Sequence, residues 1–202
     1  MNSTRRNFIK TASVLAAGTL LPADLISGTG KAVPPSDRIN IGLIGVRSQG
    51  FSDLSSFLKN KEVQCVAMSD IDSNLLESRT ADIVKLGYEK PKLYGDYRKM
   101  LENKDIDVVI IGTPDHWHCL QFVDSLEAGK HIYVEKPIGN SIAEINIMNN
   151  AARKHGKIVQ VGQWQRSQPH FVDAINYLKS GKLGRIRTDR KSTRLNSSHV
   201  SE

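Results

Sequence analysis

An open parallel α/β sheet wound with helices on both faces (a doubly wound, Rossmann-like sheet) is the fold this sequence predicts, and three observations carry the prediction. From Arg38 to Val161 short apolar runs alternate strictly with segments of helical period. The run Ile106–Ile111 closes in Val-Val-Ile-Ile, the composition of a strand covered on both faces. Glycine and proline punctuate the joints between runs, at Gly45, Pro114, Gly129, Pro137 and Gly156.

The elements follow in order. Ile39–Ile44 reads as a strand and Gln49–Leu58 as a helix; Val63–Met68 is the next strand. Ser73–Leu86 is a helix with Leu75, Leu76, Ile83 and Val84 at helical spacing. The short run Lys92–Tyr94 and a small helix reaching Leu101 lead into the strand Ile106–Ile111. A helix over 116–127 stops at Gly129. The strand His131–Val134, a helix over 141–154 ending before Gly156, and the strand Ile158–Val161 complete the pattern. Residues 36–162 are thus expected to form one dinucleotide-binding domain, and 163–188 to open a second.

Both ends read differently. Arg5-Arg6 with Phe8 and Lys10, ahead of the mild apolar run Thr11–Leu21, matches the address of the twin-arginine translocase, so residues 1–35 are expected to be a leader and linker. The run is too short for a permanent membrane anchor. A periplasmic or exported destination follows as an expectation. At the other end, Asp189–His199 has no apolar period and resembles the translation of a sequencing-library adapter; residues 189–202 are read as non-native and the natural chain as continuing past Thr188.

Charge and cysteine usage narrow the function. Of the net +7, residues 1–35 carry +3 and residues 189–202 carry +1, leaving a scattered +3 in the body, which argues against nucleic acid. Cys65 and Cys119 each fall inside an apparent element, so no disulfide framework or zinc cluster is indicated.

Chemistry is expected where strands end. The first turn needs a glycine for its bend, one for close approach to pyrophosphate and one for helix packing. Gly45 and Gly50 meet the first and third needs, while Arg47 occupies the middle position. Its guanidinium is able to grip a phosphate in two-pronged fashion instead. Gly45, Arg47, Ser48, Gln49 and Gly50 are therefore the candidate cofactor contacts of this turn. Asp70 ends the second strand, twenty residues past Gly50, where a carboxylate binds the adenosine ribose hydroxyls and repels a 2′-phosphate. NAD is expected over NADP. The alternative role for Asp70 is a helix cap, which Asp72 or Ser73 serves equally well.

Thr113-Pro114-Asp115 and His118 follow the Val/Ile strand and suit one wall of a nicotinamide pocket. His116 and His118 are two residues apart and point different ways on a helix, so no metal site is expected. The next strand delivers Glu135-Lys136-Pro137 to the same edge, where a partly buried lysine tuned by a neighbouring carboxylate suits proton transfer.

These elements in order, with Val161-Gly162-Gln163-Trp164-Gln165-Arg166 after them, resemble the glucose-fructose oxidoreductase and inositol dehydrogenase family over about residues 36–188. The resemblance implies that Lys136 lies between nicotinamide and substrate, that His118 shares the catalytic pocket, that Glu135 and Gln163 border the cofactor, and that Arg166 faces substrate or an interdomain acid. It implies a bend at Pro137 with a cis bond, and a homo-oligomer in the complete protein. The activity implied is NAD-dependent oxidation of a sugar or polyol. An NAD-dependent glycoside hydrolase and a non-catalytic sugar-binding relative are the alternatives. Residues 1–202 by themselves are expected to lack activity, because the substrate-side residues of the family lie further on.

Overall fold

The computed structural model describes residues 37–185. The expected leader over 1–35 and the tail over 189–202 lie outside the described residues, and the sheet unit begins at Ile39. Six strands form one parallel sheet: β1 Ile39–Ile44, β2 Val63–Ser69, β3 Lys92–Tyr94, β4 Val108–Ile111, β5 His131–Val134 and β6 Val159–Val161. Their spatial order is β3-β2-β1-β4-β5-β6, so the winding reverses between β1 and β4. A crevice at that reversal, beyond the carboxyl ends of the strands, is where open α/β sheets take ligands.

Between the strands run α1 Ser48–Phe57, α2 Ser73–Lys85, the short α3 Tyr97–Leu101, α4 His118–Glu127 and α5 Ile142–His155; α6 Pro169–Lys179 follows β6. Strand side chains alternate between two cores. Ile41, Leu43, Met68 and Ile110 pack with Leu54 of α1 and with Leu76 and Ile83 of α2. Ile44, Val109, Ile111, Ile132 and Val134 pack with α3, with Phe122 and Leu126 of α4, and with Met148 of α5. Both faces of β4 are therefore dry, which is why its sequence is apolar without alternation.

Local chemistry sets the boundaries. Asp72 caps α2 by accepting from Leu75 N–H at 3.1 Å, which leaves Asp70 for other work. Ser141 caps α5, whose end turns over at the left-handed Gly156 (φ 60°). The fourth strand starts two residues later than its apolar run suggests. Asp107 turns outward to accept from Asn40 N–H at 2.9 Å, and the Ile106 carbonyl is taken by Lys130 Nζ at 2.9 Å. The helix expected from residue 116 begins at His118, after a 3-10 turn over Asp115–Trp117.

Candidate functional site

The register places the sequence's candidate residues on one rim. Ser69 pairs with Ile44, Ile44 with Ile111, Ile111 with Val134 and Val134 with Val161, so the last residues of five strands stand in a row. The ladder then runs one residue further. Gly45 N–H donates to Ser69 O at 2.9 Å, Gly112 N–H to Ile44 O at 2.9 Å, Glu135 N–H to Ile111 O at 3.0 Å and Gly162 N–H to Val134 O at 2.8 Å. Each loop therefore leaves the sheet at a fixed point. The glycine turn, Asp70, Thr113, Glu135-Lys136 and Gln163 all share that edge.

In the first turn, Gly45 has φ 84°, and a Cβ there would sit 2.8 Å from Thr113 N. Only glycine fits both the backbone and the space. Gly50 and Gly112 meet backbone to backbone: a Cβ on Gly50 would lie 2.1 Å from Gly45 O, and one on Gly112 would lie 2.4 Å from Gly50 Cα. Gly112 is a site residue that sequence reasoning missed, although its place directly after the Val/Ile run was a signal. Arg47 and Ser48 open α1 with no side-chain cap, and Ser48 sits at φ 29°. The first amide N–H groups of α1 thus have no cap from the chain, the condition for an anion at a helix start. Arg47 is 75% exposed and reaches Asp72 at 3.5 Å, a surface pair of little energetic weight.

Asp70 is fixed by two amides: Oδ2 accepts from Val46 N–H at 2.9 Å and Oδ1 from Asp72 N–H at 3.1 Å. Its carboxylate is held against the glycine turn and half-exposed. Thr113 donates its hydroxyl to Gln121 Oε1 at 2.6 Å, a partner not anticipated from the sequence. Pro114 and Asp115 project from the same bend, Asp115 Oδ1 accepting from His116 N–H at 3.0 Å.

His118 differs from an open pocket wall. It is 1% exposed, with Nδ1 2.7 Å from Pro137 O and Nε2 2.8 Å from Thr113 O. Each ring nitrogen faces a carbonyl, and the neutral ring donates its one N–H to one of them, so the imidazole sits wedged between the Thr113 and Pro137 bends. The Lys136–Pro137 bond is cis.

Glu135 and Lys136 also depart from expectation. Among the described residues their side chains form no ion pair. Glu135 is 3% exposed and turns inward, its Oε2 accepting from Lys136 N–H at 3.1 Å, while the Lys136 side chain is exposed rather than partly buried. β5 ends at Val134, so both residues stand beyond the strand, Glu135 seated over Tyr133 and Lys136 out in solvent. Beneath Glu135 lie Tyr133, whose hydroxyl is 3.5 Å from Glu135 Oε1, and Asp53 of α1, which takes the Gln49 Nε2 donor at 2.8 Å. Burial pushes the Asp53 carboxyl up to about 6; the Gln49 bond opposes the rise, and the neighbouring Glu135 charge adds to it. The Tyr133 hydroxyl is pushed up to about 12, by burial first and then by the two carboxylates. Gln163 and Arg166 are exposed beyond β6, in and beside the 3-10 turn Trp164–Ser167.

Among the described residues no His/Cys/Asp/Glu cluster has the form of a metal site. The buried Cys65 thiol is raised to about 12 by desolvation, which keeps it from acting as a nucleophile.

Comparison with known proteins agrees with this geometry. Residues 39–163 match the GFO/IDH/MocA profile, described as an oxidoreductase family with an NAD-binding Rossmann fold. A glycosyl hydrolase family 109 protein of Shewanella putrefaciens is 30% identical over 206 residues, covering 92% of this chain and 44% of that protein. An alpha-N-acetylgalactosaminidase of Shewanella oneidensis is 29% identical over 205 residues, with the same coverage of 92% and 44%. The chain thus spans less than half the length of these curated relatives. Myo-inositol 2-dehydrogenase of Lactobacillus plantarum superimposes with a TM-score of 0.66 at 26% identity, over 74% of this chain and 43% of that one. Scyllo-inositol dehydrogenase of Lactobacillus casei, solved with NAD(H) and scyllo-inositol, gives 0.64 at 27% identity, over 73% and 42%. With the profile matching more than half of its length and its strand ends in the expected order, this chain belongs to the GFO/IDH/MocA oxidoreductase family and carries that family's NAD-binding Rossmann domain.

Proposed function

We propose that this chain is the dinucleotide-binding part of an NAD-dependent oxidoreductase acting on a CH–OH group of a sugar or polyol. The observation that carries the reading is the single row of strand ends that sets the glycine turn, Asp70 and Lys136 on one rim. The residues fit the cofactor. The uncapped start of α1, with Arg47, Ser48 and Gln49, suits a pyrophosphate, and the glycine contacts keep side chains out of its way. Asp70 has lone pairs left for ribose hydroxyls after its two amide bonds, and with Asp72 beside it, it opposes a 2′-phosphate, which favours NAD over NADP.

When bound, NAD supplies the hydride acceptor, and the chain positions the reactants. Thr113, Pro114, Asp115 and Glu135 border the nicotinamide end. Lys136 Nζ, exposed and so accessible, binds the substrate hydroxyl, and takes up its proton once cofactor and substrate cover the amine and burial favours its neutral form. His118, buried between the Thr113 and Pro137 carbonyls, is read as a positioning residue; the burial and the two close carbonyls support that reading. Gln163 and Arg166 face the substrate side.

A second reading is favoured by the sequence relatives named glycosyl hydrolase family 109 and alpha-N-acetylgalactosaminidase. In it, the same rim serves a retained NAD, the sugar is oxidised transiently, and a glycoside bond is broken without net redox change. Export through the twin-arginine translocase, which rests on Arg5-Arg6 and the run after them, favours this reading because free NAD is scarce outside the cytoplasm. A catalytically complete form of the protein separates the two. Net NADH formed from a free sugar or polyol supports the dehydrogenase; release of nitrophenol from a nitrophenyl glycoside with no net NADH supports the hydrolase. Cofactor binding with neither activity indicates a sugar-binding relative.

A further inference from the structure

Asp53 presents a problem that the cofactor site does not solve. It lies in the second turn of α1, 8% exposed, with Oδ1 accepting from Gln49 Nε2 at 2.8 Å. Its Oδ2 is fully buried and meets no donor. The acid that acts on it is Glu135, itself 3% exposed, and ionised carboxylates have no hydrogen to share. Two neighbouring buried negative charges, with one oxygen unpaired, are strongly unfavourable. A single proton resolves this.

We propose that Asp53 carries a proton, donates it through Oδ2 to the Glu135 carboxylate, and by that bond acts as a positioning residue, bracing the Glu-Lys-Pro bend from the glycine turn. The proposed bond joins two that the structure holds. Gln49 in the turn holds Asp53, Asp53 holds Glu135, and Glu135 Oε2 holds the backbone N–H of Lys136 at 3.1 Å. Gly162 completes the seat, since a Cβ there would lie 2.0 Å from Glu135 Oε1 and displace the carboxylate. The titratable group that faces the Asp53–Glu135 pair is Tyr133 of β5, which stays a neutral phenol over the working range and offers Glu135 its hydroxyl. The bracing half of the proposal rests on the reading of Lys136 as the reacting amine; the proton on Asp53 does not.

The sign of the pH effect follows. A carboxyl whose folded-state value is raised to about 6 from 3.8 stabilises the fold fully below about 4, and that stabilisation is lost as pH rises to about 6. This is the reverse of a salt-bridged aspartate. Asn at position 53 keeps an acceptor for Gln49 and supplies a permanent donor to Glu135. The test compares thermal midpoints of the 202-residue chain and its D53N variant from pH 4.5 to 7.5. The midpoint of D53N relative to the unmodified chain should climb by about 5 °C across that range. A difference that stays constant with pH would overturn the proposal. Should D53N fold poorly, carbon-13 NMR of the Asp53 carboxyl in the unmodified chain decides: titration near 6, moving down in E135Q, supports the shared proton, and titration near 4 refutes it. For the bracing role, measured at pH 5 where Asp53 keeps its proton, a catalytically complete D53N should retain kcat, while D53L should lower kcat more than it raises KM. Equal turnover in D53L would remove that role. Because the stability and NMR readouts involve no turnover, they stand or fall separately from the assignment of Lys136.

Discussion

Replacing Lys136 by alanine removes an exposed amine and no buried contact, so folding and NAD binding should survive. Turnover of a catalytically complete form should fall by about 100-fold or more, the range for loss of a general acid–base group. Undiminished kcat in that variant would remove Lys136 from the chemistry. His118 is the opposite case. Its ring is buried between two carbonyls, one of which takes the ring N–H, so H118A should lower stability by about 2–4 kcal/mol, read by urea denaturation, through the lost hydrogen bond and a cavity. Asp70 combines structure with binding. D70A strands the Val46 and Asp72 amides and should weaken NAD about 10- to 100-fold while narrowing the preference over NADP, as measured by titration calorimetry. Placement on the rim was legible in the sequence where a strand end announced it, as at Gly45, Asp70 and Lys136. Asp53 was not, because it looks like any polar residue on a helix face; what marks it is contact with Glu135, 82 positions on, which no local period encodes.

At the scale of elements, the register transmits one alignment across the sheet, and the close approach of α1 to β4 fixes where the first helix starts. Gly50 and Gly112 touch directly, so G50A and G112A should each lower the unfolding free energy by about 1–3 kcal/mol and abolish measurable NAD binding. Normal binding by either variant would mean that the turn tolerates a wider gap than its contacts imply. The strands and helices were readable to within about two residues because apolar period and punctuation act locally. The late start of β4 was not, since Asp107 and Lys130 claim backbone groups from distant partners. Likewise the inward turn of Glu135 and the outward turn of Lys136 depend on which side of β5 faces α1. The sequence offered an acid beside a base; beyond the end of β5 the acid is buried and the base stands in solvent.

For the whole molecule, the two cores account for the sheet, and α6 stands apart from them. Phe171, Val172, Ile175 and Leu178 line one helical stripe, and all are more than 40% exposed among the described residues. F171E should therefore shift the thermal midpoint of this chain by no more than about 1 °C, as expected for a side chain outside the core. The reversal of winding between β1 and β4 is the feature on which everything functional depends. Amide NMR of the labelled chain titrated with NAD tests it most directly. Shifts confined to Gly45–Gly50, Asp70–Asp72, Gly112–Thr113, Glu135–Lys136 and Gly162–Gln163 are the predicted result. Shifts centred instead on the amino-end loops, at Asn60–Glu62, Asp105–Asp107 and Lys130, would contradict the account.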